Sequence, residues 1–159
     1  RYANVRQSPM IVAMTMTTTN TDTEAFWNIV LGHRQLSEGE RIQRIERGID
    51  ATLVGAISRS LQLTKQETAD MANTRPATLA RLERDGGRLN SGGSERIDRL
   101  LVVAQHAFEV LETQDAAIKW LSSSNFSLGG ESPAMHCCTG LGGRQVRRLL
   151  NAIEWGVQA

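Results

Sequence analysis

Aromatic residues make up only 4% of the 159-residue chain. Runs of Val, Ile, Tyr and Phe are missing, which argues against a core built from sheets. Cysteine is confined to the adjacent pair Cys137 and Cys138. Neighbouring thiols cannot clamp a long loop, so a disulfide framework is excluded and a reducing, cytoplasmic setting is expected. No apolar run is longer than Leu100 to Ala104, far short of the ~20 residues a bilayer-crossing helix needs. Met10 to Met16 is apolar in patches but runs into a Thr-rich tract with no cleavage-site pattern, so neither a signal peptide nor a membrane partner is expected. Lysine is scarce as well, with Lys65 and Lys119 the only two among 18 basic residues, and the net charge is +1. That balance excludes the bulk basicity of a nonspecific nucleic-acid coat.

What is present is arginine, apolar residues at helical spacing, and well-placed punctuation. Hydrophobic residues at 40% and charged residues at 22% are the proportions of a globular chain, one domain or two small subdomains sharing a core. Residues 1–36 read as a mobile tail with a short helix over Thr23–Leu31, where Phe26 with Val30 and Trp27 with Leu31 are i,i+4 pairs and Gly32 is a stop. From Ser37 the signals are helical. Ser37 with Glu40 and Thr64 with Glu67 have capping-box spacing, and Asp50 is placed to cap a helix carrying Leu53, Val54, Ile57 and Leu61. Thr74 reads as the cap of a helix with Pro76 in its first turn. A long helix follows over Ser91–Leu111, with Ile97, Leu100, Leu101, Ala104 and Ala107 on its inner stripe. Beyond it lie a helix to Leu121, a Ser/Asn/Gly loop, a short helix opened by Ser132-Pro133, a glycine turn over residues 140–143 and a final helix over Arg144–Trp155. The expected fold is all-α.

Two short helices joined at Asn73-Thr74, with small Ala69 inside and Asn73 able to take a left-handed conformation, have the pattern of a helix-turn-helix. Arg75, Thr78 and Arg81 follow at i, i+3 and i+6. That arrangement serves either a recognition helix reading a major groove or two antiparallel helices with a solvated arginine face. His136-Cys137-Cys138 lacks the other half of a metal site and a convergent base, so buried apolar cysteine is the better reading, and neither metal, cofactor nor enzymatic activity is expected. The glycine pairs near 129 and 142 lack the Lys-Ser/Thr ending of a phosphate loop.

The spaced residues Ala117-x-x-Trp120-Leu121, Asn125-x-x-Leu128-Gly129-Gly130-x-Ser132-Pro133, Thr139-x-x-Gly142, Val146-x-x-x-Leu150 and Glu154-Trp155-Gly156 resemble the toxin-binding domain of the MbcA/ParS/Xre antitoxin family. Upstream, Arg47-Gly48-Ile49, Leu61-x-Leu63-Thr64, Thr78-Leu79-x-Arg81, Leu89 and Ser94-Glu95-Arg96 resemble its Xre-like helix-turn-helix half. The likeness spans Glu40 to Gly156. It implies a helix-turn-helix DNA-binding domain over residues 37–90 and a toxin-binding domain over residues 91–159. It further implies a type II antitoxin that occludes the active site of a RES-domain, NAD-degrading toxin and represses its own operon. The DNA contacts so expected are Gln66, Thr74, Arg75, Thr78 and Arg81, and the toxin contacts are Arg144, Arg147, Arg148, Glu154, Trp155 and Ala159. The expected partners are the toxin, operator DNA and a second copy of the chain, with the Phe26/Val30 and Trp27/Leu31 pairs contributing to the dimer contact. A DNA-binding regulator without a toxin partner is the alternative.

Overall fold

The computed structural model describes residues 9–156, with side chains described over residues 21–156. Nine α-helices run in order among the described residues: α1 (Pro9–Arg34), α2 (Glu38–Arg47), α3 (Ala51–Ser60), α4 (Lys65–Met71), α5 (Pro76–Arg84), α6 (Ser91–Leu111), α7 (Gln114–Ser122), α8 (Pro133–His136) and α9 (Gly140–Glu154). A 3-10 turn, Phe126–Leu128, lies between α7 and α8. No strand forms among the described residues; the single antiparallel bridge pairs Asp50 with Arg88.

Helix α6 is the axis of the fold. It packs against α1, α2, α4, α7 and α9. Its buried stripe of Ile97, Leu100, Leu101, Val103, Ala104 and Ala107 joins both halves of the chain into one hydrophobic core. The helix termini behave as their side chains dictate. Ser37 and Thr64 form reciprocal capping boxes with Glu40 and Glu67, and Asp50, Asn90, Thr113, Ser132 and Thr139 each accept a hydrogen bond from a first-turn N–H. Gly48 ends α2 at φ +84°, with the Leu89 carbonyl 2.5 Å from where a Cβ would stand. That close approach lets Leu89 N–H donate to the Ile49 carbonyl at 2.8 Å and ties α2–α3 to the α5–α6 connection.

Four sequence expectations are corrected. The segment read as a tail with a short helix carries α1 from Pro9 to Arg34, continuing through Gly32, while residues 1–8 lie outside the described residues. The cause is tertiary. Phe26, Trp27 and Val30 are buried, and buried His33 donates from Nε2 to Asp98 Oδ1 at 2.7 Å. These contacts outweigh the ~1 kcal/mol that glycine costs a helix interior. For the same reason the Phe26/Val30 and Trp27/Leu31 pairs are not a free dimer surface, since three of the four residues are core and only Leu31 is exposed. Arg75 rather than Thr74 is the N-cap of α5, without a side-chain cap bond, because a residue before proline is driven into the extended region (φ −95°, ψ 151°). Finally, Gly140–Gly143 is no separate turn. It is the first turn of α9, capped by Thr139, whose hydroxyl accepts from Gly142 N–H at 2.9 Å.

Asp98 is the hub of the α1–α2–α6 junction. Arg41 grips it with Nε to Oδ1 at 3.0 Å and Nη2 to Oδ2 at 2.5 Å, beside the His33 bond. Burial pushes the Asp98 carboxyl up, but the His33 and Arg41 hydrogen bonds outweigh it and hold the group down at about 2.

Candidate functional site

The α4–α5 unit has the geometry that its sequence promised. Ala69 and Met71 are buried, Asn73 takes φ +51°, and Thr74 N–H donates to the Ala69 carbonyl at 2.9 Å to close the turn. The start of α6 locks it from below: Asn90 Nδ2 donates to the Asn73 carbonyl at 3.3 Å, and Arg96 donates to the carbonyl of Asp70. Gly93 is buried against the Ala72 carbonyl with no room for a side chain.

The five residues expected at DNA do not all share one exposed face. Gln66 is exposed on α4 and donates to Asp70 at 2.9 Å. Thr74 is half-buried in the turn, and Arg75 and Arg81 are exposed. Thr78 is half-buried because it lies beside Leu82, one turn on, and next to buried Leu79. Ala77, Ala80, Arg81 and Arg84 form the outward face of α5. Arg84 escaped the sequence reading, although its i+3 spacing from Arg81 was the signal for it. It is paired with Asp85 at 3.0 Å.

The second surface is the outer face of α9. Gly142, Gly143, Val146 and Leu150 are buried against the rest of the domain, while Arg144, Arg147 and Arg148 are exposed and line a cleft that α9 forms with α1, α2 and α6. None of the three has a hydrogen-bond or ion-pair partner among the described residues. Glu154 is exposed and Trp155, the C-cap, is 79% exposed, so the tryptophan has no part in the core. Trp120 by contrast is half-buried and packs on it. Ala159, the remaining expected toxin contact, lies outside the described residues. Phe126, 98% exposed at the tip of the α7–α8 loop, and exposed Leu141 were missed. A lone aromatic inside a Ser/Asn/Gly loop was the available signal for Phe126.

The His136-Cys137-Cys138 stretch is structural. Cys137 is buried, and burial pushes its thiol up to about 12, with Cys138 adding to the rise, so it is held as an inert thiol. His136 Nδ1 contacts Glu131 Oε2 and its Nε2 contacts Gln145 Oε1, both at 2.7 Å, which fastens the loop before α8 to α9. Among the described residues no three His, Cys, Asp or Glu side chains are gathered to hold a metal, and no helix is long and apolar enough to cross a membrane.

A helix-turn-helix unit sharing one core with a helical module that presents a free Arg/Trp face defines a DNA-binding regulator fitted for a protein partner. Comparison with known families makes this specific. Residues 40–102 match the antitoxin Xre-like helix-turn-helix domain, and residues 106–156 match the antitoxin Xre/MbcA/ParS C-terminal toxin-binding domain. The chain belongs to the Xre/MbcA/ParS antitoxin family and is a type II antitoxin. No curated protein matches it significantly. The two matched stretches, 40–102 and 106–156, both reach into α6.

Proposed function

We propose that this antitoxin neutralises a RES-domain, NAD-degrading toxin by covering its active site with the α9 face, and that the helix-turn-helix represses the operon encoding both. The carrying observation is the α9 face itself. It holds three arginines without partners among the described residues and a tryptophan 79% exposed at the helix end, residue types that dominate interface energy. The resemblance set out above supports the choice of toxin. Arg144, Arg147 and Arg148 pair with acidic groups at the rim of the toxin's cleft, Trp155 fills an apolar recess, and Glu154 enters the region built to receive phosphates, with Ala159 a further toxin contact. At the operator, Arg81 reads a base edge while Arg75, Gln66 and the Thr74 and Thr78 hydroxyls hold phosphates. A second copy of the chain is needed because one short helix rarely gives useful operator affinity. Coexpression with the product of the neighbouring reading frame tests the toxin half. Cellular NAD is preserved by the full chain and lost with an Arg144→Ala/Arg147→Ala variant that copurifies poorly; equal protection by both sinks the assignment.

A further inference from the structure

A cleft of about 580 Å³ opens where the end of α1, the start of α2, the middle of α6 and the arginine-bearing side of α9 converge. Its walls carry Arg34, Arg41, Arg144, Arg147, Arg148 and His106, with Glu109 the one carboxylate among the lining residues. The chain as a whole has a net charge of only +1, so positive charge is concentrated here. Arg41 is spent on Asp98, and Arg34 lies 3.8 Å from Glu109 in a loose, exposed pair. Arg144, Arg147 and Arg148 stand at i, i+3 and i+4 on α9 and are exposed, with no partner among the described residues. Three unpaired guanidiniums on one helical face are like charges held close, which is destabilising until an anion bridges them. A concave wall focuses their field.

We propose that this cleft is a binding site for a small polyphosphate, an anion with at least two linked phosphates. Its size lies within the ~300–1,000 Å³ of small-molecule pockets. Guanidinium forks match phosphate oxygens bidentately, and Gln105 and Asn151 add neutral donors at the rim. Leu36 and Val102 are the apolar residues of the lining, too few to seat the anchors of a peptide segment. The inference stands without the toxin reading, although Arg144 and Arg147 serve both. Polyphosphate and toxin are therefore expected to compete, and that clause alone depends on the toxin assignment.

The test is isothermal titration of the full chain alone, without toxin, with sodium tripolyphosphate at ~0.15 M salt, an ionic strength that screens diffuse surface attraction. Saturable binding with a stoichiometry near one is expected. An Arg144→Gln/Arg147→Gln variant and an Arg148→Gln variant, all at exposed positions, should bind about tenfold or more weakly at unchanged helicity, while Arg81→Ala binds as the wild type does. ATP and adenosine distinguish the sources: ATP tighter than tripolyphosphate identifies a nucleotide, and equal affinities identify the phosphate chain alone. The proposal is overturned by binding that does not saturate, by undiminished affinity in both Gln variants, by adenosine binding as well as ATP, or by hexaglutamate binding as tightly as tripolyphosphate.

Discussion

The charge state of His136 couples to structure through two hydrogen bonds. The Gln145 amide oxygen and the Glu131 carboxylate both accept from its ring, and together, Gln145 most of all, they outweigh burial and raise its pKa. A histidine raised in the folded state contributes stability that is complete below the unfolded value of ~6.5 and is lost as pH rises through the folded value. The His136 ring should therefore titrate above ~6.5 by NMR, and His136→Ala should flatten the pH dependence of unfolding above that point. A midpoint at or below ~6.5 removes the argument. Asp98 has the opposite sign. Held at about 2, its contribution is present above ~4 and fades as pH falls toward 2. Asp98→Ala strands buried His33 and part-buried Arg41, and urea denaturation should show a loss of about 3 kcal/mol. A loss under about 1 kcal/mol means that the junction repacks or takes in water.

At the level of elements, caps were legible in the sequence and faces less so. The Ser37/Glu40 and Thr64/Glu67 boxes and the Asp50 cap need only local spacing, and each stands where the sequence put it. The extent of α1, the seat of Phe26 and Trp27, and the shared α6 depend on contacts between residues far apart, such as His33 with Asp98, which no local pattern reveals. The α9 glycines show the same limit. A glycine run reads as a turn, yet here it lets a capped helix lie against the His136 carbonyl and the Arg99 side chain. Gly142→Ala should therefore destabilise by about 1–3 kcal/mol through overpacking, where an exposed helical site would gain up to ~1 kcal/mol. A stability gain in thermal unfolding would falsify the close-packing account. On α5, Arg81→Ala should lose about 1–3 kcal/mol of specific operator affinity. Arg75→Ala should lower the salt slope by about 1 at all sequences. Wild-type affinity and slope in both variants would move DNA contact away from this face, with Arg84 the next residue to test.

The whole molecule is one core serving two surfaces. Because α6 contributes to both matched domains, the helix-turn-helix and the toxin-binding module share one helix and one core. Helix α9 packs on α6, and the start of α6 holds the turn before α5 through Asn90 and Arg96. The core location of Phe26, Trp27 and Val30 takes these three residues out of any dimer contact, while Leu31 and Ile42 are exposed apolar residues. The central claim is that the α9 face receives the toxin, and Trp155 tests it most cleanly because a residue 79% exposed can be replaced without disturbing the core. Titration of the neighbouring-frame toxin into wild-type and Trp155→Ala chains, with helicity checked by circular dichroism, should show affinity falling by about 2 kcal/mol or more, roughly 30-fold. Unchanged affinity in a folded Trp155→Ala chain would contradict the account.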